Sequence, residues 1–179
     1  YPFKLLCIAL LSAGVTLSAT ADSVFLAPEE FISEAFDGNP PGPRLLWIDA
    51  DLRAELRDAL DQDLRILRIR FWERADRSAW ILDEVGKDKP ITTGVIVNAG
   101  KIERLQVLVF RESRGWEVKH PFFSDQFAGA FATQDNQLDR RIDGITGATL
   151  SVRAVSRASA LALYFHQQVA TPYAQVAPQ

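Results

Sequence analysis

The residues best placed to do chemistry lie in one stretch, Arg141-Ile142-Asp143-Gly144-Ile145-Thr146-Gly147-Ala148-Thr149-Leu150-Ser151, a small-residue loop that opens directly into a helical pattern. At a helix start the first backbone N–H groups lack intrahelical partners and the dipole presents its positive end, so such a loop attracts an anion, above all a phosphate. Gly144 and Gly147 admit backbone angles that other residues resist and let a bulky group approach closely. Small neighbours leave the Thr149 hydroxyl reachable, and Arg140, Arg141 and Arg153 offer positive charge to a phosphate. The same residues also read as a plain helix start, in which Thr146, Thr149 or Ser151 caps the helix and Asp143 opens a turn. Spacing alone favours that plainer reading, because glycine-containing loops before helices are common.

Other candidates carry less. His120 and His166 are the two histidines, far apart and without paired spacing, so no metal site is expected. His120 reads as a turn or surface residue, and His166 falls near the end of the last helix, where a cation is favoured. Glu29-Glu30 and Asp49-Ala50-Asp51 read as helix-start acids. Cys7 is the single cysteine and sits in an apolar run, which leaves no disulfide and no thiol chemistry.

The loop must be held by the elements around it. Pro28-Glu29-Glu30 followed by Phe31, Ile32 and Phe36 predicts a short helix ended by the Gly38–Pro43 run, and Leu52, Leu56, Ala59 and Leu60 predict a second from Asp49 or Asp51 to about Asp61. From Leu64 the period changes to two. Strands are expected around Ile66–Trp72 and Ala79–Leu82, joined by a turn at Arg74–Arg77, and then a hairpin of 91–97 and 102–110 around Asn98–Lys101. A polar turn at 111–115 leads to Trp116-Glu117-Val118 and a short helix from Pro121 to Phe127. The last helix starts near Thr149, with Leu150, Ala154, Ala158, Leu161 and Phe165 as its inner stripe, flanked by Val155, Ala162 and Val169. The class is α+β, a small antiparallel sheet with packed helices. Gly86–Pro90 is the best internal boundary, dividing an N-terminal helical and β extension over 22–89 from a second domain over 90–170, with a flexible tail over 171–179.

With 179 residues, 47% of them hydrophobic and 24% charged, the chain has the composition of a globular protein. A net charge of −3 is far from the basic balance that phosphate-backbone binding needs, so nucleic acid is not an expected partner. Lys4 precedes a charge-free run to Ala21 that ends Ala19-Thr20-Ala21, the layout of a secretory signal over 1–21, with an uncleaved N-terminal anchor as the alternative. The sequence contains no Met, so an initiator is expected upstream of Tyr1.

Asp143-Gly144-Ile145-Thr146-Gly147-Ala148-Thr149-Leu150-Ser151 resembles the D-x-x-[ST]-G-A-T-x-S signature of the FMN-binding domain family. That family includes the covalently flavinylated C subunit of the sodium-translocating NADH:quinone reductase and the G subunit of the Rnf complex. Gly94–Glu112 is similar to the family's strand, G-K-I turn and second strand. Glu112-Ser113-Arg114-Gly115 resembles its E-[ST]-x-G loop, and Phe123 with Gln126-Phe127-Ala128-Gly129 its Q-F-x-G segment. The resemblance covers roughly Ile91 to Phe165. Arg114 stands where the family often has Pro, and Trp116-Glu117 replaces a common apolar-Gly pair.

The resemblance implies that Thr149 carries FMN through a phosphoester made by a flavin transferase, which brings the magnesium, the base and the FAD donor and releases AMP. Asp143, Thr146, Gly147 and Ala148 are then the element the transferase reads, with Gly144 and Ser151 in the same cofactor-binding loop. It also places Glu112 near the flavin or its ribityl chain, a satisfied turn carboxylate being the equal alternative. Trp116 is a candidate to pack on the isoalloxazine, against an ordinary aromatic role. The function implied is electron transfer in the periplasm, between a membrane or periplasmic donor and an acceptor, by a carrier or redox-complex subunit rather than a stand-alone enzyme. The alternatives are a non-redox module that binds a phosphate or other ligand, and an extracytoplasmic flavin-dependent reductase subunit.

Overall fold

Period-two alternation, β-branched residues and tight turns dominate residues 68–110, and they fold into the centre of one sheet. A computed structural model of the protein describes residues 22–170; the expected leader or anchor over 1–21 and the tail over 171–179 lie outside them. Along the chain come β1 (Ser23–Val24), α1 (Pro28–Ala35), β2 (Arg44–Trp47), α2 (Ala50–Leu60), β3 (Arg68–Arg74), β4 (Arg77–Val85), β5 (Pro90–Asn98) and β6 (Lys101–Phe110). After them come a 3-10 turn (Trp116–Lys119), the one-turn helix α3 (Pro121–Ser124), a second 3-10 turn (Asp125–Phe127) and α4 (Thr149–Ala170). The sheet has the order β1-β6-β5-β4-β3-β2, every pair antiparallel, which makes the fold α+β as expected.

Local chemistry explains most boundaries. Asp49 caps α2 by accepting from the Leu52 N–H at 2.8 Å, and Asp61 ends that helix in the left-handed region. Ala99 and Gly100 both have positive φ, the two-residue turn that suits the twist of the β5–β6 hairpin. Gly86–Lys89 form the turn of the β4–β5 hairpin, so the sheet runs unbroken through the boundary drawn there from sequence. Strands β1 and β2 escape sequence reading. They are two and four residues long, and each is defined by its pairing to a distant strand, Ser23 to Phe110 and Trp47 to Arg68.

The sheet is covered unequally. α4 lies on one face over Trp80, Val95, Val97 and Val107 and carries the main core. α1 covers part of the other face with Phe31 and Ile32 against Ala79, Ile96 and Leu108. Gly94 is required there, because a Cβ would stand 2.6 Å from the Phe31 ring. The expected inner stripe of α4 holds from Ala154 to Phe165. Leu150 does not belong to it: at 43% exposure it sits beyond the end of the sheet, and Ser151 turns inward in its place.

Thr93 is fully buried on β5, and its hydroxyl has no partner among the described residues. Thr93→Val keeps the shape and removes an unpaid desolvation cost, so stability should rise by about 1 kcal/mol. Thermal unfolding should show a midpoint about 3 °C higher; a lower one would mean that the hydroxyl is satisfied.

At the far end of α4, His166 is buried rather than the welcome cation expected from its place in the helix. The Gly100 N–H reaches His166 Nε2 at 3.3 Å, so Nε2 accepts and the ring proton belongs on Nδ1, 2.8 Å from Ser78 Oγ, which also accepts from Trp80 Nε1 at 2.7 Å. Burial holds its pKa below the ordinary histidine value, with Asp76 acting weakly the other way. The unfolded chain therefore takes up this proton first as pH falls, and stability is lost on going down through about pH 6.5. Denaturant midpoints between about pH 7.5 and about pH 5.5 should fall for the parent and be flatter for His166→Gln; equal slopes would assign the loss to other groups.

Candidate functional site

The small-residue loop takes its shape from two backbone bonds. The Ala148 N–H donates to Ile145 O at 3.0 Å, closing a turn whose third residue, Gly147, has φ +82°, the type II geometry that calls for glycine. The Val152 N–H donates to Ala148 O at 2.9 Å and begins α4. Ala148, not Thr146, Thr149 or Ser151, thus occupies the N-cap position, and its methyl group caps none of the first-turn N–H groups. No acidic residue lies in that first turn.

Asp143, Gly144, Thr146, Gly147 and Thr149 are exposed, whereas Ala148 and Ser151 are buried. The loop therefore has an outer rim of reactive or conformationally free residues and an inner pair that anchors it. The anchor is Gly115, at φ +87°. A Cβ there would stand 2.4 Å from Ser151 Oγ and 3.4 Å from the Ala148 Cβ, so only glycine lets the 112–115 loop lie against the start of α4. A second support is Gln126, whose side-chain oxygen accepts from the Asp143 N–H at 2.7 Å.

Of the three arginines considered for a phosphate, Arg140 is already committed: it forks onto the Ala128 and Gly129 carbonyls at 3.1 Å each and pairs with Asp139. That pairing comes first among the influences holding the Asp139 carboxyl below its usual range. Arg141 and Arg153 remain exposed beside the loop.

Glu112 reaches the β4–β5 turn, where one oxygen accepts from the backbone N–H groups of Lys87, Asp88 and Lys89. Partial burial acts to raise its pKa, but the three donors prevail and lower it, as for a satisfied turn carboxylate. A cavity of about 390 Å³ opens beside it, lined in part by Ser23, Lys89, Arg111 and Ser113. The aromatic candidates divide. Phe123 is core, edge-on to Phe127 at 5.4 Å, while Trp116 (48% exposed), His120 and Phe122 (62% exposed) make an outward-facing row with ring spacings of 5.4 and 5.9 Å. Lys119 sets its ammonium over the Trp116 ring at 4.8 Å. Sequence reasoning missed the supporting work of Gln126 and Gly115. Both lie in segments it had singled out, but only the fold reveals what they touch.

A sequence model of the FMN-binding domain matches residues 86–164. Among solved structures, the crystal structure of Shewanella oneidensis NqrC superposes with a TM-score of 0.56 at 16% sequence identity, covering 79% of this chain and 95% of that one. The shared fold thus includes part of residues 22–89. No curated protein matches the chain.

Proposed function

We propose, from the match of residues 86–164 to the FMN-binding domain, an exported electron-transfer flavoprotein that holds its FMN covalently, through a phosphoester to Thr149. The observation that carries this reading is the position of Thr149: first residue of α4, exposed, behind an N-cap alanine and a glycine turn that leave the helix start open. The residues fit a phosphate. Uncapped N–H groups and the helix dipole favour its charge, Arg141 and Arg153 stand near enough in sequence to balance it, and a Cβ added at Gly144 or Gly147 would meet nothing within 4 Å.

Among the described residues no side chain hydrogen-bonds the Thr149 hydroxyl. An alcohol is a poor nucleophile near neutral pH, so its activation falls to a separate flavin transferase, which Asp143, Thr146, Gly147 and Ala148 would engage. When bound, FMN supplies reversible electron transfer through its isoalloxazine ring. The protein's part is to orient that ring and tune it by contact, and Trp116, one residue past Gly115, would border it.

The charge-free 5–21 run after Lys4 supports export to the periplasm. There, free FMN would be too dilute to keep a dissociable site filled, and a covalent bond removes that dependence. The electron donor and acceptor would be membrane or periplasmic redox proteins. The test is coexpression with a flavin transferase, followed by intact mass and fluorescence of the denatured protein. A gain of one FMN less water, mapped to the peptide holding Thr149, is expected. An unmodified mass beside a second substrate that the same transferase does modify would refute the proposal.

A further inference from the structure

The face of the sheet that α1 covers is left bare at its β2–β3 end. Leu45 and Trp47 on β2 stand directly opposite Arg70 and Arg68 on β3, so all four project from this one face. All four are exposed, and the Arg68 guanidinium lies 5.7 Å from the Trp47 ring. Ile66, also exposed, adds to them, and Leu67, 71% exposed, caps the end. This apolar tip is not a loose loop. Arg53 holds the coil before β3 by donating to the carbonyls of Ile48, Leu64 and Ile66 at 3.4, 2.9 and 3.2 Å.

Beyond the Phe71–Trp80 pair, β3 and β4 part. The opening is a groove of about 420 Å³ whose walls include Ile32, Ile66, Trp72 and Ile81, with Arg68 and Arg70 beside them. The acids on its β4 wall are engaged, Asp83 with Thr92 and Glu84 with Arg157, and Glu29 stands on the α1 rim. Among the described residues no carboxylate pairs with Arg68 or Arg70.

We infer that this face docks on the surface of an anionic phospholipid bilayer. Trp47, Leu45, Ile66 and Leu67 enter the headgroup boundary, and Arg68 and Arg70 take lipid phosphates. Charge complementarity favours lipid: the chain as a whole is acidic, yet this exposed apolar cluster carries guanidiniums that pair with no carboxylate among the described residues, and arginine with tryptophan beside aliphatic tips suits a bilayer interface.

Chain direction shows which end of the sheet this surface shares. β4 ends at Val85 beside Arg157, while its start at Ser78 meets His166, so α4 begins beyond the Val85 end of the sheet. The antiparallel registers bring Arg68, Trp47 and Ser23 to that end too, and the sequence's charge-free 5–21 run ends two residues before Ser23. Docking through this face leaves α4, which packs on the opposite face of the sheet, turned away from the bilayer, with Thr149 at the same end of the sheet as Trp47. The inference does not rest on flavin attachment, because none of these residues belongs to the Thr149 loop.

The test is sedimentation of the full chain with vesicles of phosphatidylcholine alone and with added phosphatidylglycerol. The parent should bind the anionic vesicles, and Arg68→Gln with Arg70→Gln should weaken that partition about thirty-fold while thermal unfolding is unchanged. Trp47→Ser should weaken it as well, and added salt should reduce parent binding. Equal binding by parent and variants would assign attachment to the 5–21 run and overturn the inference. So would equal binding to neutral vesicles, or a parent that ignores both vesicle types but crosslinks through Trp47 to a protein.

Discussion

Thr149→Val should abolish covalent flavin altogether, whereas Thr146→Val should only reduce it. Valine keeps the branched shape and tolerates the first turn of a helix, so α4 and the Ile145–Ala148 turn should survive, and the single loss is the hydroxyl that would form the ester. Thr146 sits inside the turn and exposes its side chain. Its replacement alters what a transferase reads without removing the acceptor. Both variants are to be matured beside the parent with the same transferase and compared by intact mass and in-gel fluorescence. Undiminished flavin on Thr149→Val would remove Thr149 as the acceptor and assign the ester to another hydroxyl.

Gly115→Ala should destabilise the protein by about 2 to 4 kcal/mol, since left-handed backbone strain and a tight contact act together. The φ of +87° resists any Cβ, and the new carbon would meet Ser151 Oγ at 2.4 Å and its Cβ at 3.2 Å. Rotating Ser151 relieves only the first contact. Gly129→Ala is the natural comparison, because Gly129 has φ +75° with nothing within 4 Å of an added Cβ, so it isolates the backbone contribution. Urea midpoints should fall for both and fall further for Gly115→Ala, which should also slow flavin attachment by pushing the 112–115 loop off Ala148 and Ser151. If the two variants lose the same stability, the close approach of the two segments is not what demands glycine at 115.

The site loop was legible because its determinants are local. A turn that needs Gly147 at positive φ, a helix that begins at Thr149 and the small residues between them are written in consecutive positions, and the hairpin of β5 and β6 is likewise set by alternation around Asn98–Lys101. The resemblance to the FMN-binding domain rests on the same consecutive residues, which is why a short motif carried so much. Helices α1 and α2 were legible for the same reason, through Pro28 and the Asp49 cap.

What tertiary structure alone decided are the partnerships between residues far apart in the chain. Whether Glu112 faces a flavin or closes a turn depends on three N–H groups more than twenty residues away. Arg140 is committed to the carbonyls at 128 and 129, and His166, bonded to Ser78 and Gly100, has its pKa lowered by burial. Pairing also makes strands of β1 and β2, which are too short to show a period. Sequence determines the local conformations and the chemistry on offer at each position. Burial and hydrogen-bond partners decide which of that chemistry is spent on the fold and which stays free, because both are properties of neighbours that only folding brings together.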